Sequence, residues 1–276
     1  YYPCEWMASF LDKEPEKRKE QAINIAKKNG FSIRKADINT SSFVWEIDPN
    51  DDKVLFQPLS ALKGLGDAAI EQIVNNRPFN NAEELLFTPE VVYSKLNKKA
   101  LDVLIRAGAT DSIIDEQFTG RKHFWSAVAV DRPKNKKKFQ ENIIQYAPEG
   151  DFSQEEEIEN ISSLTGIFPL DLVMGPEVRQ KLEEKFVFPI SEYDPDLGLV
   201  WFIPRSIVKK KTKNGKDYWI VTVVDSNSVL TKIRCWGILP KKDVLHVNRP
   251  YMCRPQHNST WGFSVRSVHK TMRLLG

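Results

Sequence analysis

Apolar residues recur at helical spacing through the first part of the chain and at alternate positions from residue 199 onward. The first pattern predicts helices over 5–12 and 17–29. In the second of these, Ala22, Ile23, Ile25 and Ala26 form an apolar stripe among Lys and Glu. Asn29-Gly30 closes it as a left-handed cap. Residues 31–39 read as extended and Asp37–Ser42 as a turn. Short strands are predicted over 43–47 and 53–57, around Asn50-Asp51-Asp52. Further helices are predicted over 81–87, 89–95 and 97–107, the last with Leu101, Leu104 and Ile105 on its apolar face.

Residues 118–160 lack a sustained period. A basic run, Arg132–Lys138, precedes an acidic one, Glu149–Glu159, which predicts a flexible or solvated surface segment. A short helix over 155–163 leads into Leu164–Pro169. From 199 the alternation predicts strands over 199–208, 217–225, 229–236, 248–255 and 260–268. Lys213-Asn214-Gly215-Lys216 between two of them is a strong hairpin signal, and Asp225–Ser228 is a second turn. Five short strands in so few residues suggest a small barrel of the OB type. The predicted fold class is α+β and multidomain: an all-helical N-terminal region, then an all-β OB-type barrel. The expected segments are 1–50, 51–117, a linker over 118–197, and the barrel over 198–276.

Residues 59–77, LSALKGLGDAAIEQIVNNR, carry the most specific chemistry. Gly64 and Gly66 stand one residue apart between two short helical patterns. Glycine accepts positive φ and allows close backbone approach, so Gly64-Leu65-Gly66 makes a tight hairpin. The helix that starts near Asp67 then presents free N–H groups, which form an anion site with phosphate as the usual guest. Lys63 adds a cation. Leu62, Leu65, Ala69, Ile70 and Ile73 supply the packing side. The stretch resembles a helix-hairpin-helix motif, a binder of the DNA backbone without sequence preference. Residues 97–111 look like a degenerate second copy, with Gly108 at the turn and Lys98 and Lys99 as secondary phosphate contacts. The candidate duplex contacts are Lys63, Gly64, Leu65, Gly66, Asp67, Ala68, Lys98 and Lys99.

Composition narrows the partners. A net charge of +3 over 276 residues is no polycation, so any nucleic-acid footprint comes from local clustering. No apolar run is long enough to span a bilayer. The three cysteines, Cys4, Cys235 and Cys253, are widely spaced, and no CxxC occurs. A disulfide framework is not expected, and a reducing, cytoplasmic setting is. Cys253 and His257 have loose ligand spacing without a second pair, so no metal site is expected. The chain opens Tyr1-Tyr2-Pro3 without an initiator methionine, as a piece of a longer protein does. In the barrel, Lys209, Lys210, Lys211, Lys213 and Lys216 crowd the first hairpin. Tyr218 and Trp236 are the candidate stacking platforms for a single strand. Trp219 faces opposite to Tyr218, and about half of the barrel aromatics must be core.

The order of these parts resembles the C-terminal half of bacterial DNA polymerase III alpha subunits, the C-family replicative polymerases. Residues 1–12 look like the end of the fingers and 35–47 like the stretch leading out of them. Residues 59–86 and 96–112 look like the tandem helix-hairpin-helix region, and 157–172 like the segment before the OB domain. A barrel after the hairpins fits the form with a C-terminal OB domain; the Gram-positive sister form carries it near the N-terminus. The resemblance implies a part that grips duplex DNA with the hairpins and single-stranded template with the barrel. It also implies the remaining polymerase domains as partners. The family's Mg²⁺ ions are held by palm aspartates. Here only Asp194-Pro195-Asp196 has Asp-x-Asp spacing, in a Pro/Gly loop, so this part is expected to carry no catalytic residues and no cofactor. The family's sliding-clamp peptide falls between hairpins and barrel; Gln140, Ile143 and Ile144 are the candidates there, without the aromatic anchor. Two other classes stay open: a DNA repair or recombination factor built from the same modules, and a protein-interaction scaffold with no DNA affinity.

Overall fold

Leu11, Ala22, Ile23 and Ala26 are buried on the facing sides of the first two helices, as their spacing requires. The computed structural model describes residues 3–15, 18–196, 198–237, 245–266 and 272–275. Tyr1, Tyr2, Lys17, Ser267 and Val268, which open the chain or fall within predicted elements, lie outside the described residues. The chain forms two compact units, Tyr1–Phe168 and Pro169–Gly276. Among the described residues no helix is long and apolar enough to cross a membrane.

The first unit begins with α1 (Pro3–Lys13) and α2 (Lys19–Lys28). They pack on a three-stranded sheet of β1 (Ser32–Arg34), β2 (Glu46–Asp48) and β3 (Asp51–Phe56), in the order β1-β3-β2. Then come α3 (Asp67–Asn76), α4 (Ala82–Phe87) and α5 (Lys98–Arg106), followed by α6 (Arg121–Trp125), α7 (Lys136–Tyr146) and α8 (Gln154–Thr165). Side-chain caps set several helix starts. Asn81, Asn97 and Asn135 each accept from the N–H three residues on, and Ser153 and Glu156 form a reciprocal capping box. Gly166, at φ 71°, ends α8 in the left-handed conformation.

Two expectations change here. Residues 89–95 are turns rather than a helix. Their backbone groups are used by side chains from elsewhere: Val92 N–H donates to Gln72 Oε1 at 2.8 Å and Tyr93 O accepts from Arg132 at 3.2 Å. The segment expected to be flexible is built into the core. Phe118, Phe124, Ala127, Val128, Phe139 and Ile143 join Ile70, Leu101 and Leu104 in one apolar cluster. Its charges fold back as ion pairs: Lys122–Glu156 at 2.8 Å, Lys138–Asp131 at 2.8 Å and Arg121–Glu157. Arg132, also buried, donates to Tyr93 O at 3.2 Å and covers the Tyr93 ring at 3.7 Å.

The second unit opens with α9 (Leu170–Val173) and α10 (Pro176–Glu184). Its strands are β4 (Phe188–Pro189), β5 (Val200–Lys211), β6 (Asp217–Val224), β7 (Thr231–Trp236), β8 (Tyr251–Cys253), β9 (Gln256–Asn258), β10 (Gly262–Arg266) and β11 (Arg273–Leu274). They form a curled mixed sheet in the order β11-β8-β5-β6-β7-β10-β9, with β4 on β5. The long β5 joins the two halves: residues 200–202 pair with β8 and residues 203–211 with β6. The register shifts between Pro204 and Ser206, where proline lacks a ladder donor. Alternate residues Val221, Val223, Ile233, Cys235 and Val265 fill the inner face. This is the OB-like half-barrel that the alternation predicts.

Candidate nucleic-acid interface

A single 3₁₀ turn, Leu59–Ala61, stands where the spacing predicts the motif's first helix. Gly64 has φ +90° and Gly66 caps α3 without any side-chain hydrogen bond. Lys63, Gly64, Gly66, Asp67 and Ala68 are exposed. The N–H groups of Gly64, Gly66, Asp67 and Ala68 have no acceptor among the described residues, so this helix end keeps the donors that an anion needs. Leu65 serves the packing instead, with its side chain buried and its N–H donating to Leu62 O at 3.2 Å. The Asp67 carboxylate suits the helix dipole but opposes a bound anion, so Asp67 can help only through its backbone. Lys63 is also structural. Its N–H donates to Leu164 O at 2.7 Å, and a Cβ placed on Gly166 would lie 3.4 Å from its Nζ.

In the second copy the helix start, not the turn, is open. Lys98 and Lys99 are the first two residues of α5 and are exposed. A Cβ on Gly64 would meet Lys99 Cε at 3.7 Å, so Lys99 converges on the first hairpin. Neither lysine forms an ion pair among the described residues. Gly108, at φ +75°, is closed off: a Cβ there would meet Arg121 Nη2, Asp111 Oδ2 and Lys35 Nζ, each at 3.3 Å. Arg121 grips Asp111 with two bonds of 2.6 and 2.7 Å and also holds Glu157. Burial works against the Arg121 charge, but Asp111 and Glu157 outweigh it and raise its pKa. The second hairpin therefore holds its own carboxylate where the first has open donors.

In the second unit, strand register gathers the candidates for a single strand. Lys210 faces Tyr218, Tyr218 faces Trp236 and Trp236 faces Arg266, one row across β5, β6, β7 and β10. The Tyr218 and Trp236 rings stack at 4.9 Å and 21°, and Lys216 Nζ lies 5.9 Å from the Trp236 ring. The next row on this face holds Val208, Ile220, Arg234 and Ser264. A cleft of about 510 Å³ lies here, lined by Tyr218, Arg234, Trp236, Trp261 and Arg266 among others. Arg234, Trp261 and Arg266 are not among the candidates that sequence alone supplies. A signal is present, since Lys232, Arg234 and Trp236 alternate on one face of β7. The lysine cluster divides: Lys209 and Lys211 point to the opposite face from Lys210, and Lys213 sits exposed in the turn. Lys209 pairs with Asp217 at 2.8 Å and lowers its pKa.

Comparison with known proteins places this geometry. Residues 30–119 match the family model of the helix-hairpin-helix motif. Over 260 residues, 90% of the chain, it is 25% identical to the DNA polymerase III subunit alpha of Aquifex aeolicus strain VF5, and covers 21% of that protein. The same subunit from Thermus aquaticus is 34% identical over 122 residues, 42% of this chain and 10% of that protein. The Pseudomonas fluorescens subunit is 30% identical over 116 residues, 41% of this chain and 10% of that protein. The chain resembles a segment of the DNA polymerase III alpha subunit. It spans 10–21% of the length of these relatives.

Other polymerase-like expectations fall as follows. Gln140 and Ile144 are exposed on α7, but Ile143 is buried in the core. The three clamp candidates therefore do not share one accessible surface. Asp194 and Asp196 form a local turn, with Asp196 N–H donating to Asp194 Oδ1 at 2.8 Å. Among the described residues no group of three or more His, Cys, Asp or Glu could hold a metal ion. Cys253 is buried in the barrel and His257 exposed on β9. Burial pushes the Cys235 and Cys253 thiols up to about 12.

Proposed function

We propose that this chain is a DNA-handling part of a replicative polymerase. Its first hairpin takes duplex phosphates, and its barrel face takes the single-stranded template. The observation that carries the reading is the open start of α3, with four N–H groups lacking acceptors beside Lys63 and Lys99. Backbone donors and lysines read phosphate rather than base edges, so binding is independent of sequence and falls with salt. The stacked Tyr218–Trp236 pair, with Lys210, Arg234 and Arg266 on its face, supports the single-strand role. Bond making belongs, on this reading, to the palm of the polymerase. The testing variant is Lys63→Ala, assayed on duplexes of several sequences. It is expected to weaken all of them by a similar factor, with a salt slope smaller by about 0.9. Unchanged binding at low salt contradicts the hairpin assignment.

A further inference from the structure

A cavity of about 340 Å³ adjoins the first hairpin and shares Lys63 and Gly64 with it. Gln57 lines this cavity and is 5% exposed. Its backbone N–H donates to Arg34 O at 3.0 Å, but its side-chain amide makes no hydrogen bond among the described residues. Trp45, also in the wall and 4% exposed, has an indole N–H without an acceptor. Buried polar side chains are nearly always paired, so the unpartnered Gln57 amide marks a place for a partner from outside. Trp45 and Ile167 give apolar surface, while Lys19 and Lys63 bring cations. Apolar wall atoms, an amide with both donor and acceptor, and cations beside an open hairpin match a nucleotide.

We propose that this cavity takes one unpaired nucleotide, its base against Trp45 with an edge on the Gln57 amide, and its phosphate at Lys19 and Lys63–Gly64. The phosphate position rests on the hairpin reading above. A glutamine amide pairs with adenine N6 and N7 in bidentate fashion, so adenine is the favoured base. The nucleotide can belong to a DNA strand or be free.

The test compares the full chain on a paired duplex and on the same duplex with one unpaired adenine, by fluorescence anisotropy. The unpaired adenine is expected to raise affinity at least fivefold over the paired form. Gln57→Leu is expected to remove that preference and leave paired-duplex affinity unchanged. Gln57→Glu keeps the shape and serves if the leucine variant does not fold. Competition by dAMP identifies a free nucleotide as an occupant; preference without competition assigns the site to the strand. Equal affinity of the unmodified chain for both duplexes overturns the proposal, as does a preference that survives both variants. If neither duplex binds at low salt, the hairpin reading fails. The cavity is then judged by dAMP quenching of tryptophan fluorescence: quenching lost in Gln57→Leu supports it, and no quenching overturns it.

Discussion

Replacing Lys98 and Lys99 together by alanine is expected to stabilise the fold while weakening DNA binding. Both lysines occupy the first turn of α5, exposed and without ion-pair partners among the described residues. A cation at a helix N-terminus opposes the macrodipole by roughly 0.3–1 kcal/mol at low ionic strength, and solvent exposure puts these two at the low end of that range. Alanine removes the repulsion and has the best helix propensity. The melting temperature should therefore rise by about 1–3 °C. Binding should move the other way. Each lysine that neutralises a duplex phosphate contributes roughly 0.9 to the slope of log affinity against log salt. Losing two lowers the slope by about 1.8, which is roughly 60-fold in affinity on going from 1 M to 0.1 M salt. Thermal melts and a salt series of duplex anisotropy measure both signs. An unchanged slope refutes the phosphate contacts. A fall in both stability and binding shows that the lysines serve the fold.

In the barrel, Trp236→Ala should weaken single-strand binding by roughly 1–3 kcal/mol, the value of one stacked base, and leave duplex binding intact. Equal losses on both, measured by anisotropy, contradict the stacking role. Phe139→Ala should destabilise the first unit by about 3–5 kcal/mol in denaturant melts, as truncation of a buried phenylalanine does; a loss below about 0.5 kcal/mol is the value for an uninvolved surface position. The Glu156 carboxyl is lowered to about 2, first by its bond to Lys122 and then by the Ser153 N–H. Its folded value lies below the unfolded one, so its contribution is complete above about 4.5 and disappears as pH falls toward 2. Glu156→Gln should flatten that part of the profile of melting temperature against pH, by a small amount because the group is partly exposed. An unaltered profile argues against the capping box as an acid-sensitive element.

Local patterns carry much of this molecule. Gly64-Leu65-Gly66 demands a hairpin, and period-two runs demand strands, because backbone conformation and burial act within a few residues. The tandem motif is visible in Gly108 and the apolar face of α5, but its different use is not. Asp111 and Arg121 reach Gly108 only after the chain has folded back. The segment after residue 118 misleads for the same reason: its charges look solvated until Lys122 and Arg121 meet Glu156 and Glu157, more than thirty residues on. Tyr218 and Trp236 are legible as candidates, whereas Arg266 joins them only through the parallel pairing of β10 with β7, a contact between distant stretches. Gln57 gives no signal at all, since a lone glutamine at the end of a predicted strand reads as surface.

The most direct measurement is anisotropy of the unmodified chain with primer–template, duplex and single-stranded DNA at two salt concentrations. The account predicts binding to all three that weakens steeply with salt, and no nucleotide incorporation by this chain. Absence of binding to every one of them at low salt would contradict the DNA-handling role and leave a scaffold of protein contacts in its place.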